Sequence, residues 1–254
     1  MRYMARVEYD GTDFAGFQVQ PGKRTVQGVL ESALARLGDG VDQRVDGAGR
    51  TDAGVHAMGQ VIGFTYTGSL SGTDLGRALD ALLPWDLSVG NVRRSPAGFN
   101  PRFAARYREY RYTVWNGPRS PLRERTAFGV RALLDTAAMA RAGSAFIGRH
   151  DFSAFGSGDR SPIRTVSMVR VRRAGRLVTI DVRADSFRRG MVRRMVAVLL
   201  EVGLGKLDEA AVRTALAGPG PAFGGAAAPP RGLCLRRVVL GRSPARLNGE
   251  HEER

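Results

Sequence analysis

Asp52 stands in the run Gly47-Ala48-Gly49-Arg50-Thr51-Asp52-Ala53-Gly54-Val55-His56, one acidic residue among glycines in a strongly basic chain. Three glycines within eight positions let a backbone turn tightly and approach another molecule closely. The expectation is a carboxylate exposed on a constrained loop. At neutral pH an aspartate with an ordinary pKa of about 3.9 is already ionised, so it needs no base to act as a nucleophile. It needs position, and a cation that keeps it charged when a base is pressed against it. Arg50 is too close in sequence to be the obvious partner. Arg193 is a better one, in Ser186-Phe187-Arg188-Arg189-Gly190-Met191-Val192-Arg193-Arg194-Met195, near the start of an apolar helix. A cation there opposes the helix dipole unless an anion compensates. Local features leave both residues open: Asp52 as nucleophile or as turn-former, Arg193 as ion-pair partner or as a side chain reaching solvent or phosphate.

A second constellation is Arg106-Tyr107-Arg108-Glu109-Tyr110-Arg111-Tyr112-Thr113-Val114-Trp115, which interleaves arginines with aromatics. Aromatic faces stack on unpaired bases and a phenol can hydrogen-bond one. Tyr110 and Tyr112 share a face, and at least one of them is expected to be plain core. His56 suggests a general base and His150 a metal ligand, yet neither has a companion cluster. Three histidines and one scattered cysteine, Cys234, argue against a structural metal and exclude an intramolecular disulfide. The pair Gly47 and Gly49 lacks the third glycine of a dinucleotide fingerprint.

The 39 basic and 24 acidic residues give a net charge of +15 and a pI near 11.2. Such a field attracts polyanions, nucleic acid first among them. Lysine occurs only at Lys23 and Lys206, so the charge is almost all arginine, suited to bidentate phosphate contacts and stacking. Coding bias toward Ala, Gly and Arg is the alternative account of that preference. The first ten residues read as a strand rather than a signal peptide, and no run approaches a membrane span, so a cytoplasmic protein is expected.

These residues need elements to hold them. Residues 3–9 alternate, with Tyr3, Ala5, Val7 and Tyr9 on one side, which predicts a half-buried strand. Residues 25–37 have helical spacing behind a Thr25 cap. A short strand leads into the glycine loop, strand character resumes at 60–67, 73–83 is helical up to Pro84, and 87–92 is a strand. That order is a split βαβ unit. The second half repeats it: strand 106–115, helix 134–147, a hairpin of 165–173 and 177–184, helices 189–202 and 208–217, and strand 233–240. The expected fold class is α+β. Two split-βαβ (ferredoxin-like) halves form a mixed, largely antiparallel sheet, with helices on one side and a central catalytic cleft. The two sheets would meet edge to edge or face to face. The boundary near Pro101 to Ala105 divides the chain into 1–103, with the Asp loop, and 104–245, with the aromatic strand and the Arg helix; 246–254 is a polar tail. The Gly/Ala/Pro-rich stretch 218–231 is expected to be a surface loop, and 242–254 polar and unstructured; neither is assigned a catalytic role.

The chain resembles the bacterial tRNA pseudouridine synthase A family over nearly its whole length. The resemblance is carried by Glu8-Tyr9-Asp10-Gly11, Gly16-Phe17-Gln18, Ala48 to His56, Tyr110-Arg111-Tyr112, His150-Asp151-Phe152, Met191-Val192-Arg193 and Gly232-Leu233. It implies isomerisation of uridine to pseudouridine at positions 38, 39 and 40 of the tRNA anticodon stem-loop, by a homodimer that needs no cofactor. By the same resemblance Asp52 is the nucleophile, Arg193 its ion-pair partner and Tyr110 a contact to the uracil. Leu233 packs beneath the uracil, and Arg50 fills the space left by the extruded base. Phe14 and Phe17 depart from the family, which often has tyrosine and tryptophan there, and the 218–231 loop differs in composition from many members. The competing readings are a non-catalytic RNA-binding or RNA-folding protein and a metal-assisted nuclease using Asp52 with His56.

Overall fold

The computed structural model describes residues 1–38, 43–158, 161–217 and 226–241. Among them are strands β1 (Arg2–Tyr9), β2 (Val45–Gly47), β3 (His56–Thr65), β4 (Leu87–Arg94), β5 (Ala105–Asn116), β6 (Phe128–Val130), β7 (Gly148–Asp151), β8 (Ile163–Ala174), β9 (Leu177–Ala184) and β10 (Leu233–Leu240). Six helices accompany them: α1 (Val26–Leu37), α2 (Gly72–Leu82), α3 (Pro101–Ala104), α4 (Thr136–Ser144), α5 (Met191–Gly203) and α6 (Glu209–Leu216).

Local chemistry accounts for most of these elements. In β1 the alternate residues Tyr3, Ala5, Val7 and Tyr9 are buried while Arg6 and Glu8 face solvent. Helix α1 starts where the Thr25 hydroxyl accepts the Gly28 N–H, and it buries Val26, Leu30, Ala33 and Leu34 at helical spacing. Ser71 caps α2 by accepting from Asp74 N–H. The β8–β9 hairpin turns at Gly175, whose φ is +58°. Each fully buried Leu or Val contributes about 1.5–3 kcal/mol by leaving water, and they join in one cluster that runs through both halves.

The sheet order is β4-β1-β3-β10-β5-β9-β8-β7, with β2 added on β3 and β6 on β5. Pairing is antiparallel except for β3–β10 and β5–β6. The first half reads β4-β1-β3-β2 and the second β10-β5-β9-β8, the same fourth-first-third-second order. The halves meet edge to edge. β2 covers only Ile62 to Phe64 of β3, which leaves His56 and Ala57 free to pair in parallel with Cys234 and Leu235 of β10. The seam therefore lies at the start of β3, directly after the Asp52 loop.

Several boundaries differ from the sequence-based expectation. β3 begins at His56 rather than at residue 60, because β10 supplies its partner there. The helix expected over 134–147 is α4, Thr136–Ser144. Asp135 caps it by accepting from Ala137 and Ala138 N–H, and Ala145, Phe146 and Ile147 close it with bonds to residues three back. The short β6 and β7 arise from tertiary pairing alone. The polar tail and residues 218–225 of the expected surface loop lie outside the described residues. No helix among the described residues is long and apolar enough to cross a membrane.

Candidate active site

The loop between β2 and β3 is fixed residue by residue. Ala48 N–H donates to Val61 O at 2.8 Å. The wholly buried Gln60 side chain brackets Gly49, its carbonyl accepting from Gly49 N–H at 3.3 Å and its amide donating to Gly49 O at 2.6 Å. The Thr51 and Tyr9 hydroxyls are 2.8 Å apart. Thr51 O accepts from Phe17 N–H, Asp52 O accepts from Val55 N–H to close the turn, and Gly54 N–H donates to Phe14 O.

The glycines serve this loop differently from the expectation. Of the three, only Gly54 has a left-handed backbone, with φ +76°. Gly47 is required by the Phe17 ring, 2.6 Å from where a Cβ would stand, and Gly49 has room for one. Two glycines outside the loop matter as much. A Cβ at Gly11 would meet Val55 O at 2.0 Å, and one at Gly16, φ +102°, would meet Thr51 O at 2.9 Å. The segment after β1 thus packs backbone against backbone on the Asp52 turn. Phe14 and Phe17 are buried within that packing.

Asp52 and Arg193 come together across 141 residues, with Arg193 Nη1 3.4 Å from Asp52 Oδ2. The Asp52 side chain is 34% exposed and that of Arg193 21%. A tight charge-assisted bond is about 2.7–2.9 Å, so this contact is loose. Asp52 Oδ1 receives no hydrogen bond from the described residues. Arg193 is the third residue of α5, and the Gly190 that precedes the helix has φ +72° and no capping side chain. Its Nε donates to Ala228 O at 2.6 Å, while Ala228 N–H donates to Arg193 O at 3.1 Å. Arg194 has no ion pair among the described residues.

Tyr110 is buried, and burial, with Tyr9 and then Asp52 as lesser causes, pushes its hydroxyl well above the usual tyrosine range. Its ring meets Phe187 edge-on, centroids 5.2 Å apart. Its hydroxyl has no hydrogen-bond partner among the described residues. Tyr112, two residues on, donates to Pro229 O at 2.9 Å and rests on Gly232, so it is the structural member of the pair. Leu233 is buried and stands opposite Tyr112 where β10 begins. Arg50 is exposed on the loop and has no ion-pair partner among the described residues. Asp52, Arg193, Tyr110 and Leu233 thus gather at the seam between the halves.

His56 is a strut. Its Nδ1 lies 3.0 Å from Gly11 N and 3.1 Å from Asp10 Oδ1, and its Nε2 lies 3.0 Å from Arg231 O. His150 contacts Ile147 O at 3.0 Å, away from Asp52.

Two contributors escape a reading of the sequence. Residues 226–231, expected to be part of a plain surface loop, hold Arg193 through Ala228, Tyr112 through Pro229 and His56 through Arg231. Composition gives no signal of this, because the contacts are made by backbone atoms. Arg108 is the other: its side chain is buried and hydrogen-bonds Ala48 O, at the start of the Asp52 loop. Its position on the face of Tyr110 was the available signal.

A sequence-family model described as tRNA pseudouridine synthase matches residues 5–104 and 142–239. Arg50, Asp52, Arg193 and Leu233 fall inside these stretches, and Tyr110 between them. A protein of Geobacter sulfurreducens named tRNA pseudouridine synthase A is 44% identical over 236 residues, covering 91% of this chain and 96% of the relative. Proteins of the same name from Shouchella clausii and Geobacillus kaustophilus are 39% and 41% identical, covering 94% and 91% of this chain and 94% and 92% of their own lengths.

Proposed function

We propose, from the premise that this chain belongs to the tRNA pseudouridine synthase family, that it isomerises uridine to pseudouridine at positions 38, 39 and 40 of the tRNA anticodon stem-loop, with Asp52 as nucleophile. The enzyme is an isomerase. The observation that carries the finer reading is a carboxylate about one third exposed, one oxygen without a hydrogen bond among the described residues, 3.4 Å from a guanidinium and gathered with Tyr110 at one seam.

In the reaction the N1–C1′ bond breaks, the uracil turns, and C5 bonds to C1′; the C5 proton leaves and N1 takes up a proton. Atoms balance within the nucleotide and the exchanged protons, and no redox step is involved. The reacting atoms are hidden in a stacked stem, so the nucleotide is flipped out at a cost of a few kcal/mol, offset by phosphate contacts from the arginine field. Asp52 attacks C1′ or C6, or assists glycal formation. Arg193 keeps it ionised beside an apolar base. Tyr110 contacts the uracil, Leu233 packs beneath it, and Arg50 takes the space it vacates in the stem. The enzyme acts as a cytoplasmic homodimer.

The test is tritium release from a tRNA transcript labelled at uridine C5, with chelator present, by wild type and Asp52→Ala. Release by the wild type alone, with tRNA binding intact in both, is the expected result. Release by Asp52→Ala at the wild-type rate overturns the assignment of the nucleophile. No release by a folded, tRNA-binding wild type favours the non-catalytic RNA-binding alternative.

A further inference from the structure

Arg108 is an arginine whose burial has no counter-carboxylate to explain it. It is 8% exposed, and among the described residues no carboxylate lies within ion-pair distance of it. Its guanidinium donates instead to three backbone carbonyls from three segments. Nε and Nη2 both donate to Ala48 O, at 3.1 and 2.6 Å; Nη1 donates to Asp185 O at 2.7 Å; Nη2 also donates to Arg102 O at 2.8 Å. Ala48 begins the Asp52 loop. Asp185 begins the segment that carries Phe187, edge-on to Tyr110, and leads into α5 and Arg193. Arg102 lies in α3, just before β5. A Cβ at Gly49 would stand 3.7 Å from Arg108 Nε and 4.0 Å from Tyr110 Oη, so Arg108 and Tyr110 lie side by side beneath the loop.

We propose that Arg108 is a positioning residue: it fixes the Asp52 loop against the Tyr110 strand and against the segment that delivers Phe187 and Arg193. The inference rests on the reading of Asp52 as nucleophile. Desolvating a guanidinium is costly, and only a full set of hydrogen bonds offsets it. That set exists here only while all three segments keep their places. The planar fork with five N–H groups can serve three separated carbonyls at once; an ammonium, a point charge on a flexible stem, cannot hold the same geometry. Burial also draws the Arg108 pKa down, outweighing the opposing influence of Tyr110 and Asp185. The buried side chain does not reach an RNA phosphate, so its effect falls on the rate of chemistry.

The experiment compares single-turnover tritium release at saturating enzyme for wild type, Asp52→Ala, Arg108→Lys and Arg108→Met on one tRNA, together with filter-binding Kd, thermal unfolding and the pH profile of the rate. A displacement of about 1 Å at a reacting group costs on the order of 10²-fold, and that loss is expected for both Arg108 variants. Kd should stay within about threefold of wild type, with an unchanged salt slope. The pH profile keeps its shape, and the loss persists at temperatures where the variants are fully folded. Where Arg108→Met does not fold, Arg108→Lys decides. Wild-type rates in a folded Arg108→Lys overturn the proposal, since charge alone then suffices. So does a shifted acid limb, which makes the effect electrostatic, or a weakened Kd with a lower salt slope, which makes Arg108 a phosphate contact. A silent wild type, or an active Asp52→Ala, instead defeats the underlying reading and is recognised separately.

Discussion

Strand β5 presents arginine and tyrosine to both faces of the sheet, and the two faces use them in opposite ways. Toward the helices, Arg108 gives its donors to backbone carbonyls and Tyr110 keeps a hydroxyl without a partner beside the Asp52 loop. On the other face Arg111 pairs with Asp181 at 2.7 Å, Glu109 receives Arg183 at 2.9 Å and Arg237 at 3.3 Å, and the Tyr107 ring lies under Arg183 and Arg237. Arginines of the outer face are neutralised by carboxylates where water still reaches. Those of the inner face, Arg108 and Arg193, are held mainly by carbonyls, and among the described residues their one ion pair is that of Arg193 with Asp52. Residue type is the same on both sides, and what differs is whether the charge has an acid of its own. A pair neutralised by its own acid has little field left for chemistry. A cation balanced by dipoles keeps its field for a neighbouring reacting group.

The largest effect that tests this contrast is expected at Arg193. Arg193→Met removes the one cation paired with Asp52 among the described residues and also releases Ala228 O, so kcat should fall by on the order of 10²–10³-fold, in the range seen when one preorganised electrostatic contact at a reaction centre is lost. Arg194→Met, next in sequence and without an ion pair among the described residues, should be mild. Equal and modest losses in both, measured by tritium release under saturating tRNA, would mean that the ion pair is not what keeps the carboxylate reactive.

The sequence was informative wherever the cause of structure is local. The period-two burial of β1, the Thr25 cap of α1 and the glycine turn of the β8–β9 hairpin each follow from neighbours within a few residues. Elements made by distant partners were illegible: β3 starts four residues early because β10 pairs with it, and β6 and β7, three and four residues long, exist only through β5 and β8. The site divides in the same way. Asp52 announced itself as a lone acid among glycines. Its meeting with Arg193 needed a fold that closes 141 residues of chain. The role of Arg108 left only its place on the face of Tyr110, because backbone carbonyls look alike in every sequence. Gly11 and Gly16 stood in the segment that carries the family resemblance, yet only the packing of Thr51 and Val55 on them reveals why a side chain is refused there.

On the outer face the expected effects are on stability. Asp181 has a side chain only 5% exposed and Arg111 is its ion-pair partner, so Arg111→Met leaves a buried carboxylate without its cation. A group stranded in this way costs about 1–3 kcal/mol. For a chain of this length that lowers Tm by roughly 2–12 °C, with kcat per folded enzyme within about twofold of wild type. A loss of kcat at unchanged Tm would carry the chemistry across the sheet and break the contrast.

Arg237→Met should do least. Its side chain is 54% exposed, and Glu109 keeps Arg183 when it goes, at 2.9 Å. An exposed pair of this kind contributes about 0–1 kcal/mol, so Tm should move by no more than about 4 °C. The sharper measurement is the salt dependence of tRNA binding. An arginine neutralised by its own acid releases no counterion when RNA binds, and its removal leaves the slope of log K against log salt in place. A slope reduced by about one, with Tm unmoved, would mean that Arg237 leaves Glu109 for a phosphate. The outer face would then belong to the RNA footprint, and the acid partners of its arginines would be exchangeable rather than neutralising.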